Sequence, residues 1–286
     1  MSIELRQLSA GLGAEIVGVN LSAPIDDATF REIEDAWRKH QILLFRGQKL
    51  DHATHIEFSR RFGQLDDHAA LPRLRHPEQH EILPVTNQEV LGRKQAVGQQ
   101  WHSDLSHTLY PARASLLRCE VIPPVGGDTM WSNQYLAYET LSATMKSVVD
   151  KLWAVHDITF SKVNEGRRDM DEMRVNTPPV MQPMVRVHPE TGRKALYISE
   201  MVTSDIVGMR REESQPLLNY LFTHSARPEF CYRHRWQVGD LIAWDNRCTN
   251  HLALTDYDMA TPRRLFRTTL LGEACGKRLA SEEALA

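Results

Sequence analysis

The segment Gln100-Trp-His-Ser-Asp104 constrains this chain more than any other, through His102 and Asp104. Along an extended strand side chains alternate faces, so residues two apart point the same way. An imidazole and a carboxylate at that spacing can grip one ion from a single strand. Two ligands leave a site incomplete, so a distant part of the chain must supply a third. That third ligand is assigned to His251, just past an apolar strand over 241–244 and a turn at Asp245-Asn246. Two histidines and a carboxylate on one side of an ion leave its other side open, as in non-haem Fe(II) oxygenases. A zinc site with the same three ligands would look alike at this level. An isolated HxD also fits a surface or capping role until its context is known.

The rest of the chain says what could bring those residues together. Strand signals are expected at 14–21, 42–45, 82–86, around His102, and at 115–121, 128–131, 184–188, 195–198, 229–234, 241–244 and 264–271. Asp26 or Asp27 caps a helix running to about His40, with Phe30, Ile33 and Trp37 on its buried side. Asp51 caps a second, with Ala53, Ile56 and Phe62 inward and Gly63 placed to end it. Further helices are expected over 134–141, 143–152 (Met145, Val148, Val149 and Leu152 buried) and 212–226. A strand-dominated second half with short turns predicts a mainly β protein with flanking helices and a closed β architecture. One domain over 1–275 is expected, with a charged irregular stretch at 161–179 as a lid candidate and a loose tail over 276–286.

Composition narrows the function classes. The 286 residues carry a net charge of −3, which gives no electrostatic case for nucleic acid or an anionic membrane as partner. The N-terminal stretch lacks a basic segment followed by a long apolar run, and no stretch is long and apolar enough to span a bilayer. Cys119, Cys231, Cys248 and Cys275 are scattered without a CxxC pair, which suits reduced thiols in a cytoplasm.

The strand at 263–271 strengthens the metal reading. Its alternation puts Arg263, Leu265 and Arg267 on one face and Arg264 and Phe266 on the other. Arginine suits the capture of carboxylates because its planar fork meets them bidentately and stays charged when desolvated. Considered alone, the same strand also fits a solvated arginine pair and an ion-pair partner.

Several segments taken together carry a resemblance. They are Leu12-Gly-Ala-Glu-Ile-Val-Gly-Val-Asn-Leu21, Phe45-Arg-Gly47, Phe58-Ser-Arg-Arg-Phe-Gly63, Trp101–Asp104, Gly126-Gly-Asp-Thr129, Trp244-Asp-Asn-Arg247, His251 and 263–271. In this order they span nearly the whole chain, which resembles the Fe(II)/2-oxoglutarate dioxygenases of the taurine dioxygenase and 2,4-dichlorophenoxyacetate dioxygenase family. The resemblance implies a double-stranded β-helix (jelly roll) core in which His102, Asp104 and His251 bind Fe(II). It implies that Thr129 and Arg263 hold the distal carboxylate of 2-oxoglutarate, whose keto acid end chelates the iron. Arg267 stands where the family places a second arginine, near the cosubstrate's other end or the anionic group of the prime substrate. The spacing from His251 to Arg267 is one residue longer than the family pattern, and the extra residue is placed in the loop 255–262. Arg263 is preferred to Arg264 because it shares a strand face with Arg267.

The implied reaction consumes O2 and 2-oxoglutarate, yields succinate and CO2, and hydroxylates the substrate. With Asp104 in place there is no vacancy of the kind related halogenases use for chloride. His68 matches a substrate-facing histidine of the taurine branch, whereas Leu71 and Gly98 replace that branch's tyrosine and asparagine. These departures argue against taurine and for a roomier, more apolar pocket, with Arg267 and His68 still favouring an anion. The stretch 232–241 looks closer to the aryloxyacetate branch. The expected substrate is a small organic anion with an apolar or aromatic body: aryloxyalkanoate-, sulfonate- or carboxylate-like. Alternatives are an alkyl sulfate ester, a betaine or an amino acid, or a non-catalytic metal and 2-oxoglutarate sensor. A homo-oligomer is left open. Phe160 and Trp131 are candidate pocket walls, although ordinary core packing suits either. His52 and His55, three apart on a helix, form only a weak metal pair.

Overall fold

The computed structural model describes residues 3–69, 75–90, 93–94, 98–161, 164 and 170–279, with backbone only at 89–90 and 93–94. The first helix, Asp27–His40, begins where the Asp26 carboxylate accepts a hydrogen bond from the Thr29 amide at 2.8 Å. It ends with Arg38, Lys39 and His40 beside its negative pole. Phe30, Ile33, Ala36 and Trp37 form its buried stripe. The second helix, His52–Arg60, is capped by Asp51 and buries His55, Ile56 and Phe58. Ala53, expected inward, is exposed.

These helices cover one face of a seven-stranded sheet. Its order is Glu4–Gln7, Ala14–Val17, Ile42–Phe45, Leu241–Asp245, Ala114–Val121, Arg264–Leu270 and Leu83–Thr86. All neighbours are antiparallel except Ala14–Val17 beside Ile42–Phe45. Strand alternation divides the core in two. Leu43, Phe45, Leu116 and Ala243 meet Phe30, Ile33, Trp37 and Phe58 under the helices. Ile42, Leu44, Leu117, Ile242, Trp244 and Leu265 face the other way, onto Trp131 and Trp236. Ile42–Phe45 is apolar throughout because both its faces are covered. Trp131 belongs to a three-stranded antiparallel sheet of Cys231–His234, Thr129–Asn133 and Thr249–Ala253. A four-stranded sheet of Thr203–Ile206, Trp153–His156, Val180–Pro183 and Lys277–Arg278 flanks these. Helices Gln134–Glu139 and Arg211–Ser225 pack with it over a third apolar cluster.

Several expectations need correction. His102 makes only a single bridge rather than a strand, and the chain turns from Asp104 onward. The fourth helix is Ala143–Val149, shorter than expected, and leaves Val148 39% exposed. A helix, Met170–Asn176, lies inside the stretch expected to be irregular; 162–163 and 165–169 lie outside the described residues. Lys277–Arg278, within the segment expected to be a loose tail, pairs with Val180–Met181. Val180–Pro183 and Thr203–Ile206 carry proline-bearing or polar sequences with weak strand signals of their own, and Trp153–His156 follows directly on the expected 143–152 helix. Among the described residues no helix is long and apolar enough to cross a membrane.

His55 is completely buried, with Nε2 3.4 Å from Thr268 Oγ1. Burial first, then the charge of Arg118, lowers its pKa to about 3. Because the folded pKa lies below the unfolded value near 6.5, the unfolded chain takes up the proton first. Stability is therefore complete above about pH 6.5 and is lost as pH falls toward 3. Urea unfolding midpoints should drop between pH 7 and pH 5, and His55→Gln should flatten that slope by up to about 1.4 kcal/mol per pH unit. An unchanged slope in the variant would assign the acid sensitivity elsewhere.

Candidate active site

Two backbone hydrogen bonds assemble the centre. The His102 amide donates to the His251 carbonyl at 3.0 Å, and the His251 amide donates back to His102 at 2.8 Å. This bridge sets the imidazoles side by side, 4.1 Å between ring centroids. Behind them, His251 sits opposite Trp131 in the Thr249–Ala253 ladder. Past the bridge the chain turns, with Leu105 at φ 56°. Ser103 Oγ donates to the Asn246 carbonyl at 2.7 Å, and the Asp104 amide donates to Asn246 Oδ1 at 3.2 Å. His102 and Asp104 consequently share a side despite the missing strand. Asp104 Oδ1 is 3.9 Å from His102 Nε2, and Oδ2 is 3.9 Å from His251 Nε2. One ligand atom from each of the three lies within 4.8 Å of the others, and all three residues are buried.

The electrostatics suit a divalent cation. His102 Nδ1 lies 2.8 Å from the Gln100 carbonyl, which can only accept, so Nδ1 carries the proton and Nε2 offers its lone pair. His251 Nδ1 has no hydrogen-bond partner among the described residues. Burial lowers the pKa of both imidazoles. Burial alone would raise that of Asp104. The guanidinium of Arg267 (Nη1 to Oδ1, 2.6 Å), the two imidazoles and the Ser115 hydroxyl (2.7 Å to Oδ2) instead hold it well below the carboxylate range. Neutral imidazoles and an ionised carboxylate are the forms in which these groups bind metal.

Arg263 and Arg267 leave the same strand face. Arg264 points the other way, to Glu120 at 2.9 Å. Arg263 is 5% exposed; its Nε donates to the Gly127 carbonyl at 2.9 Å and its Nη2 lies 3.4 Å from Thr129 Oγ1. Trp236 Nε1 fixes that hydroxyl from behind at 2.9 Å. Among the described residues Arg263 has no carboxylate ion pair, and burial pulls its pKa below the usual value. Gly127, at φ 72°, sits so close that a Cβ there would lie 3.3 Å from Arg263 Cδ.

Arg267 also lines a cavity of about 740 Å³. His68 lines it too, 4% exposed and at φ 52°, with Nε2 lacking a partner among the described residues. Asp66 holds His68 in place, its Oδ1 accepting the His68 amide at 2.9 Å. Gly98, expected to widen the pocket, instead lies against the metal-side imidazole: a Cβ there would be 3.0 Å from His102 Cε1. Leu71 lies outside the described residues. Phe160 is 41% exposed and Trp131 is fully buried in the inter-sheet core, and neither lines the cavity. Of the lid candidate, Met173, Asn176, Thr177, Pro178 and Pro179 do.

Sequence reasoning missed Ser115 and Asn246, which brace Asp104 and are bonded to each other at 3.0 Å. His107 lines the cavity three residues past Asp104. The only local signal was Asn246's place in the turn before His251. A second buried trio, His188, Asp245 and Cys248, is close enough to hold an ion. Its carboxylate is already taken: Arg247 meets both Asp245 oxygens, at 2.9 and 2.7 Å, and His188 Nε2 lies 3.0 Å away. Burial keeps the Cys248 thiol protonated. His52 and His55 have separate neighbours, Arg118 and Thr268, and share no metal-ligand cluster among the described residues.

Residues 4–269 match the family described as "Taurine catabolism dioxygenase TauD, TfdA family". The chain is 35% identical to the alpha-ketoglutarate-dependent 2,4-dichlorophenoxyacetate dioxygenase of a Burkholderia species, covering 96% of each protein. It is 34% identical to an alkylsulfatase of Acinetobacter baylyi, covering 95% of this chain and 86% of that one. Among solved structures, AAD-2 in complex with Mn(II) and N-oxalylglycine aligns with a TM-score of 0.83 at 32% identity, covering 96% of this chain and 99% of that one. The chain belongs to the TauD, TfdA family and is an Fe(II)- and 2-oxoglutarate-dependent dioxygenase.

Proposed function

We propose that this dioxygenase hydroxylates a small organic anion with an apolar or aromatic body, with His102, Asp104 and His251 as its iron ligands. The observation that carries the site assignment is Arg263, a buried guanidinium with no carboxylate ion pair among the described residues. A buried cation of this kind calls for an anion. The distal carboxylate of 2-oxoglutarate supplies one, with the Thr129 hydroxyl as a second donor beside it. The donor set fits Fe(II): two imidazole nitrogens and one carboxylate converge from one side and leave the other side for cosubstrate. When bound, the iron with 2-oxoglutarate and O2 supplies the oxidising chemistry that releases succinate and CO2 and hydroxylates the substrate.

The chain's own residues orient and shield. Ser115 donates to the Asp104 carboxylate while Asn246 Oδ1 accepts from the Asp104 amide, so side chain and backbone are both fixed. Arg267 Nε, buried and without a partner among the described residues, is available with His68 Nε2 for the substrate's acid group. The apolar walls of the cavity exclude water from the body of the substrate. Relatives named for 2,4-dichlorophenoxyacetate and for alkyl sulfates support an aryloxyalkanoate or sulfate-ester head group. We also read the packed sheets as a double-stranded β-helix, residues 1–275 as one domain, and 161–179 as a lid over the cavity.

Anaerobic addition of Fe(II) and 2-oxoglutarate to the metal-free protein should give the weak visible charge-transfer band of the chelate. His251→Ala should abolish it. Arg263→Gln should raise the 2-oxoglutarate concentration needed for half-maximal intensity about 10- to 100-fold. No band in folded, iron-loaded wild type would sink the assignment. Ser115→Ala should weaken Fe(II) binding about 10- to 100-fold, read by competition with a chelator; unchanged affinity would remove Ser115 from the site's support.

A further inference from the structure

The far wall of the cavity comes from the C-terminal segment, and its chemistry differs from that of the other walls. Lys277–Arg278 pairs antiparallel with Val180–Met181, with Arg278 directly across from Val180. Cross-strand partners share a sheet face, and both residues line the cavity. Lys277 turns to the opposite side, its Nζ 4.0 Å above the Trp153 ring. The segment is fastened down. The amides of Cys275 and Gly276 donate to the Leu109 carbonyl at 3.1 and 3.3 Å. Gly276 presses on Gln182, where a Cβ would come within 2.7 Å of Nε2. That same Nε2 donates to the Ser106 and Thr108 carbonyls at 3.0 and 2.7 Å.

Two cations thus stand in one cavity. The side chain of Arg267 is 16% exposed beside Asp104 and marks the inner end. Arg278 is exposed and marks the rim, and it has no ion pair among the described residues. Leu105, Leu109, Ile158, Met173 and Val180 form apolar wall. Among the described residues the one carboxylate in the lining, Asp66, is occupied beside His68. A volume of about 740 Å³ exceeds what an acid head with a short body fills.

We propose that the site prefers elongated dianions: one acid group at Arg267, an apolar or aromatic spacer, and a second acid group at Arg278. This rests on the dioxygenase reading above and narrows its substrate class. A monoanion would leave Arg278 facing solvent, whereas an acid at the far end gains a charge-assisted contact there.

The test uses the enzyme loaded anaerobically with Fe(II) and 2-oxoglutarate, so that binding is read without turnover. Calorimetric Kd values are compared for linear monocarboxylates and α,ω-dicarboxylates of matched chain length, at low ionic strength. At the length that spans the cavity the dicarboxylate should bind about 3- to 10-fold more tightly, as suits a contact at an exposed rim. Arg278→Gln should bring that ratio to about one, and Arg278→Lys should restore part of it. A ratio near one at every length in wild type, or one that survives Arg278→Gln, overturns the proposal. The chelate band separates the two readings. With the band present, a failed ratio rejects only the dianion preference; without it, the dioxygenase reading itself falls.

Discussion

The carboxylate of Asp104 is a buried negative charge, and much of the surrounding structure answers it. An uncompensated carboxylate at that depth would take up a proton or unfold its surroundings. Here Arg267, Ser115 and two imidazoles meet its oxygens, while Asn246 takes its amide. Each partner comes from a different strand or turn. Satisfying this one charge therefore requires the Ala114–Val121 and Arg264–Leu270 strands, the 245–248 turn and the His102 bridge to be correctly registered. A divalent metal held by these three residues would add a positive charge where their donor atoms already converge.

The two arginines on the Arg264–Leu270 side of the sheet show how one periodicity serves two needs. Arg263 and Arg267 share a face, yet their surroundings differ. Arg267 lies against Asp104 and opens to the cavity, whereas Arg263 is enclosed by Gly127, Thr129 and neighbouring backbone. An arginine shut away with only neutral acceptors is costly by itself. Such a cost is sensible where a ligand regularly brings the missing charge. Behind the site, Asp245 and Arg247 make the complementary arrangement, a buried pair complete within the chain. That pair shapes the turn from which His251 departs and requires nothing from outside.

Much of this was legible in the residues. Helix caps at Asp26 and Asp51, the doubly covered Ile42–Phe45 strand and the alternation after Arg263 each depend on near neighbours, so local pattern sufficed. The convergence of His102, Asp104 and His251 was readable because the three have unusual chemistry in a recognisable order. What escaped depended on distant partners. Ser115 looks like any strand serine until Asp104 is brought to it from eleven positions away. Gly98 read as a widened pocket because a small residue suggests space, whereas its smallness serves the His102 ring. Lys277–Arg278 read as tail because two charged residues carry no strand signal, and only pairing with Val180–Met181 defines them.

The cavity is held differently from the cluster of His102, Asp104 and His251. Ser115, His251 and Arg267 stand on the central sheets, where registers are tightly specified, and their bonds hold His102 and Asp104 in place. The cavity walls come instead from peripheral pieces: the His68 turn, the loop after Asp104, the helix Met170–Asn176 and the C-terminal strand. The His68 turn is tied to the core by the Asp66 amide, which donates to the Thr269 carbonyl, and the loop after Asp104 is tied by Gln182. Substitutions in such segments disturb few core contacts, so their chemistry can vary while the triad keeps its geometry. A family built this way can hold its reaction constant and change its substrate. The specificity of this member is accordingly to be sought in the residues that local pattern reads least well, Arg278 foremost among them.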